Sequence, residues 1–250
     1  MTGLADHDLA SPVKRAHSTH DNRHSGKPGL KGEKEMSKRA WILAAMGALA
    51  IAGAQPVASQ TIIDEWAGIK MPPAPELKVA KVEPKSTALL LFDFTTQTCS
   101  QERRPRCAAS VPKLKKLHDD ARANGMFIVY SIATADSKPT DILPEFAPHA
   151  GDPVLPPLGP DKFINSDLEK MLKDKGIKTV IITGTAAQTT VLHTGGEAAL
   201  RGFKVIAPVD AMSSNETFTE AYTAWHLANS ARIMNATTLT KVDLISYDAK

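Results

Sequence analysis

The chain has 250 residues, 42% hydrophobic and 23% charged, with a formal net charge of +3. That is enough for one large α/β domain or two small ones, and the composition is that of an ordinary globular protein, not a collagen-like or low-complexity chain. Much of the positive excess falls in the first forty residues, so no basic face is built on a folded domain and nucleic acid is excluded as a partner.

Residues 1–35 are polar and aperiodic and hold four of the eight histidines (His7, His17, His20 and His24). Such a segment cannot bury enough apolar surface to order itself, so disorder is expected. The stretch MSKRAWILAAMGALAIAGAQPVASQ follows. It has a basic start at Lys38 and Arg39, an uncharged apolar run over residues 40–54, and small-residue cleavage sites at Ala52-Gly53-Ala54 or Val57-Ala58-Ser59. This is the layout of a secretory signal peptide over residues 36–59. Gly32-Glu33-Lys34-Glu35 requires purine-rich codons, as a bacterial ribosome-binding site would supply, which favours Met36 as the true start. A membrane anchor is the competing reading, but the run is shorter than the roughly 20 residues of a spanning helix. The expectation is a secreted or periplasmic bacterial protein without a stable membrane anchor. Export then governs the two cysteines in CSQERRPRC. An oxidising compartment and the short spacing favour a Cys99–Cys107 disulfide, and the alternative is a free, reactive Cys99.

The mature chain is taken in order. Residues 60–86 contain MPPAPELKVAKVEPK and predict an extended N-terminal arm. TALLLFDF (87–94) is a continuous apolar run, a strand buried on both faces. Ser110 is a candidate cap for a helix to Asn124, stopped by Gly125. MFIVYSI (126–132) predicts a second buried strand, and residues 133–160 predict a loop. A helix from Asn165 or Ser166 stops at Gly176. KTVIITG is a third strand, followed by a helix over 188–201 and a strand over 203–210. Thr217 with Glu220 resembles a capping box for a helix through Trp225. NATTLT (235–240) predicts a short strand, and KVDLI a closing helix. Strands alternating with helices predict a parallel sheet covered on both faces, with one domain over 87–250.

Ligands of such sheets bind beyond the carboxyl ends of the strands. Two ends carry useful groups. Asp93 is a carboxylate closing an apolar strand, which is costly unless it is paired or used. The turn Gly184-Thr185-Ala186-Ala187 opens a helix whose free N–H groups suit an oxyanion or carboxylate.

The order LLLFDF, GMFIVYS and DKFINSDLEKMLKDKGIKTVIITGTAAQTTVLHTGGEAALRGFKVIAPVDAMSS resembles the isochorismatase-like (cysteine hydrolase) superfamily over roughly residues 86–245. The resemblance implies a three-layer α/β/α sandwich with a six-stranded, mostly parallel sheet. It places the family's catalytic Asp on Asp93 and a non-proline cis peptide near Thr185, Ala186 and Ala187. It also implies an oxyanion pocket from the amides of Ala186 and Thr190. A small-molecule substrate, no cofactor and a homo-oligomer are implied too.

Two positions depart from the family pattern. Its nucleophilic Cys falls on Thr190. Its catalytic Lys falls near Pro157, and the lysine available is Lys162, which is out of register. A threonine hydroxyl needs a dedicated base, and His193, three residues on, is one candidate; the other reading of His193 is packing in the core or at a subunit contact. The other reading of Thr190 is a cap or a ligand hydrogen bond. Asp93 is read either as a proton donor or as a structural carboxylate. Phe94 and Tyr130 are candidates to line the pocket, with core packing as the alternative. Arg103, Arg104 and Arg106 either attract an anionic substrate or form a solvated loop. Asp136 and His149 lack the spacing of a metal site, so no metal is expected. The functional expectation is a hydrolase of a small amide, ureido or enol-ether compound. The alternative is a relative that binds a small molecule or partner without turnover.

Overall fold

The structure is a computed structural model that describes residues 61–248. The segment 1–35 and the signal peptide 36–59 lie outside the described residues. Residues up to Ile69 belong to a unit separate from Lys70–Lys250. In that first unit Ile62–Glu65 forms one helical turn, α1, whose Asp64 carboxylate accepts from the Thr61 amide at 2.8 Å.

The second unit is built on β2 (Thr87–Phe92), in which every residue is buried. A strand with no polar face needs a covering layer on both sides, and alternate side chains show that it has them. Ala88, Leu90 and Phe92 join one core, with Val129, Leu168, Ile182 and Leu227. Leu89 and Leu91 join the other, with Leu114, Leu117, Ile128 and Ile181. The strands flanking β2 are β3 (Phe127–Ser131) and β5 (Thr179–Thr185), followed outward by β4 (Val154–Leu155) on one side and β6 (Lys204–Pro208) and β8 (Thr237–Thr240) on the other. All pairings are parallel. The two-residue β7 (Met212–Ser213) adds to β5. The crossovers contain α2 (Pro105–Ala123), α3 (Leu168–Asp174), α4 (Leu192–Leu200) and α5 (Thr217–Asn229). This is the expected α/β architecture with a six-strand parallel path.

Several boundaries differ from the expectation. α2 begins at Pro105, not after Ser110. Proline suits the first helical position, and Cys107 extends the buried stripe of Leu114, Leu117 and Ala121 by about two turns. Ser110 does not cap; its hydroxyl donates back to the Cys107 carbonyl at 2.8 Å. Glu220 forms no capping box with Thr217, because its carboxylate accepts from the Ser214 amide and pairs with Arg106. The segment read as an arm contains β1 (Ala80–Val82), with Ala80 and Val82 buried. The closing helix is a single 3-10 turn, Val242–Leu244, followed by β9 (Ile245–Tyr247), which pairs in parallel with β1.

The cysteines form the disulfide Cys99–Cys107, eight residues apart and buried. It ties the loop after β2 to the first turn of α2. Removing it frees a short loop in the unfolded chain, so Cys99→Ser/Cys107→Ser should cost about 2–3 kcal/mol. Urea unfolding, with and without reductant, measures this; an unchanged midpoint would show that the bridge adds no stability.

Candidate active site

β2 stops where Asp93 turns out of the sheet. Its φ of 64° lies in the left-handed region, which aspartate tolerates better than most residues. The Asp93 amide still donates to the Ser131 carbonyl at 3.2 Å, and the Thr98 hydroxyl donates to the Asp93 carbonyl. The side chain, 5% exposed, therefore points from the carboxyl end of the sheet in a fixed direction.

Three elements converge on that carboxylate. Ser131, which ends β3 next to Phe92 in register, donates to Oδ1 at 2.7 Å. Thr190 Oγ1 donates to Oδ2 at 2.7 Å. Lys162 Nζ lies 3.0 Å from both oxygens and is 1% exposed. A buried ammonium and a buried carboxylate each lose several kcal/mol of hydration, which only close pairing and further hydrogen bonds offset.

The main chain fixes Lys162 from both sides. Its amide donates to Thr194 Oγ1 at 3.0 Å, and its carbonyl accepts from the Ser166 hydroxyl. The offset from Pro157 thus does not keep this lysine from the carboxylate. The segment before it is aperiodic loop, where residue register does not fix position, and the long lysine stem reaches the site.

Thr190 sits in a π-helical turn, Ala187–Val191, after a cis Thr185–Ala186 peptide. Its amide donates to the Ala186 carbonyl at 3.1 Å. The Thr190 N–H of the expected oxyanion pair is thus engaged with a backbone carbonyl. Ala187 is fully buried in the core, which corrects its assignment to the binding surface. Ala186 does line the cavity, of about 380 Å³, together with Asp93, Arg104, Lys162, Thr185 and Thr190.

Two further expectations are corrected by packing. Phe94 stacks edge-on against Phe146, 5.9 Å between ring centres, in the core beneath α2. The Tyr130 hydroxyl accepts from Arg122 at 2.6 Å and meets His118 Nε2 at 2.9 Å; burial pushes it up to about 12. Side chains alternate along β3, so Tyr130 faces α2 while Ser131 faces the site. His193 is exposed on α4 and is no core residue. Of the three arginines, Arg103 is exposed, Arg106 pairs with Glu220, and Arg104 forms part of the cavity wall. Asp136 and His149 are exposed on the loop after β3. Sequence reasoning missed Ser131 and Thr98. Ser131 had a signal, as a small polar residue at the end of an apolar strand; Thr98 had none.

The isochorismatase domain family matches residues 87–240, well over half of the chain. The chain belongs to that family. An isochorismatase-like hydrolase from Alkaliphilus metalliredigens has the same fold, with TM-score 0.57 and 23% identity, over 63% of this chain and 95% of that one. A cysteine hydrolase from Pseudomonas syringae pv. phaseolicola gives TM-score 0.57 and 20% identity, over 68% and 95%. N-carbamoylsarcosine amidase from Thermoplasma acidophilum gives 0.53 and 22%, over 63% and 97%. A secreted isochorismatase effector of Verticillium dahliae is 27% identical over 109 residues, 44% of this chain and 54% of that protein. The chain thus spans about half the length of that relative.

The ion pair predicts a specific energetic pattern. Lys162→Met leaves the Asp93 carboxylate buried without its cation and should cost about 3–5 kcal/mol in urea unfolding. Asp93→Asn/Lys162→Met should cost less than the two single changes together, by about 1 kcal/mol or more. Strict additivity would mean that the pair does not couple.

Proposed function

We propose that this protein is an exported hydrolase of a small amide or ureido substrate, with Asp93 as the base and Thr190 Oγ1 as the attacking atom. The observation that carries the reading is the 2.7 Å hydrogen bond from Thr190 to Asp93 within a cavity that both residues line. The Thr190 proton passes to Asp93 as the oxygen adds to the substrate carbonyl. Asp93 then returns that proton to the leaving nitrogen, and water hydrolyses the ester. Lys162 holds the carboxylate in position throughout. The enol-ether alternative fits less well. It needs Asp93 to donate a proton, whereas the carboxylate here accepts from Ser131, Thr190 and Lys162. Export is supported by the basic and apolar layout of residues 36–59, by the disulfide, and by likeness to a secreted relative.

Thr190 stands where the family resemblance puts a cysteine, and an alcohol is a weaker nucleophile than a thiolate. Slow turnover follows. Binding without turnover is the second reading, favoured by the Thr190 amide being engaged with Ala186, since an oxyanion is then served by fewer donors.

The test is product formation by the chain starting at Gln60 on small amides, ureido acids and isochorismate, followed by mass spectrometry. Wild type should turn over an amide or ureido acid. Asp93→Asn and Thr190→Ala should each lose about 100-fold or more. Thr190→Cys should gain. Full activity in Thr190→Ala would transfer the attack to water, and silence from wild type and Thr190→Cys alike would leave the binding reading.

A further inference from the structure

Arg104 lies between the two bridged cysteines and immediately precedes α2. Its main chain is embedded in that short loop: the Arg104 amide donates to the Ser100 carbonyl at 2.8 Å, and its carbonyl accepts from the Cys107 amide at 2.9 Å. Its guanidinium reaches across to the β5 end, donating from Nη1 to Thr185 Oγ1 at 2.6 Å and from Nε to Asn215 Oδ1 at 2.9 Å. The Thr185 hydroxyl is itself positioned by Ser213, whose Oγ donates to it at 3.0 Å.

Both partners of Arg104 are neutral. The neighbouring cations differ: Arg106 pairs with Glu220, and Lys162 pairs with Asp93. The cavity wall thus carries two cations and one carboxylate, and Lys162 already holds the carboxylate. Half-burial, with Arg103 close by, pushes the Arg104 guanidinium down from its usual range, yet arginine keeps its proton in proteins. Its remaining N–H donors have the planar fork that suits a carboxylate.

We infer that Arg104 anchors a carboxylate of the substrate and that the Cys99–Cys107 disulfide holds it in place to do so. The substrate class narrows from small amides to acids that carry an amide or ureido group. This rests on the hydrolase reading for its use, but the anchoring is measured by binding alone. Activity also becomes tied to an oxidising compartment, because reduction releases the loop that presents the guanidinium.

The experiment is isothermal titration with N-carbamoylglycine, an anion, and its neutral analogue N-carbamoylglycinamide. Oxidised wild type should bind the acid about tenfold or more tighter than the amide. Arg104→Gln should bind both alike, while Arg104→Lys keeps part of the preference as a point charge without the fork. Cys99→Ser/Cys107→Ser should fall between wild type and Arg104→Gln, and thermal melts check that each variant is folded. Wild type binding both alike, or neither, overturns the anchor, as does a preference retained in Arg104→Gln. A full preference in the cysteine double variant overturns the clamp. Loss of turnover with the preference intact sinks the hydrolase reading alone.

Discussion

The buried pair of Lys162 and Asp93 is the constraint around which the carboxyl end of the sheet is arranged. Both charges are almost wholly buried, so each must find its main partners inside the protein. Asp93 finds them on three chain segments: the end of β3 through Ser131, the turn after β5 through Thr190, and the loop before α3 through Lys162. The strand order, with β2 between β3 and β5, brings those segments together. An apolar residue at position 93 would leave an ammonium and two hydroxyls without an acceptor.

Close packing beneath the site keeps the turn after β5 near that carboxylate. A Cβ added at Gly184 would stand 3.1 Å from Val191 Cγ2 and 3.5 Å from Thr190 Cγ2. The absence of a side chain lets the π-helical turn sit directly on the strand. Gly195 does the same for α4, where a Cβ would meet Ile182 and Leu227. Core and site therefore adjoin along one turn: Val191 packs in the core next to the residue whose hydroxyl donates to Asp93.

The sheet was legible because its signal is local. Runs such as ALLLF and VII are apolar at every position, and a parallel sheet is what buries both faces of such a strand. The alternation of strand and helix supplied the rest. Boundaries failed where other bonds took the capping groups: Ser110 turned back to Cys107 within its own helix, and Glu220 was taken by Ser214 and the distant Arg106. In the site, Asp93 was visible because a charge in an apolar run needs a reason. Lys162 was out of register because its position in a long loop is set by a distant bond to Thr194 as well as a local one to Ser166, and no spacing rule records the first. Tyr130 and Ser131 are adjacent, and only the pleat decides which faces the pocket.

The pairing of β1 with β9 brings together residues 80–82 and 245–247, near the two ends of the described chain. A ribosome delivers the first of these strands long before the second. Ala80 and Val82 therefore gain this strand partner only once residues 245–247 have been made. Two-ended closure of this kind gives the domain a high contact order and delays its last cooperative step. Folding of the domain cannot be completed before residues 245–247 are available.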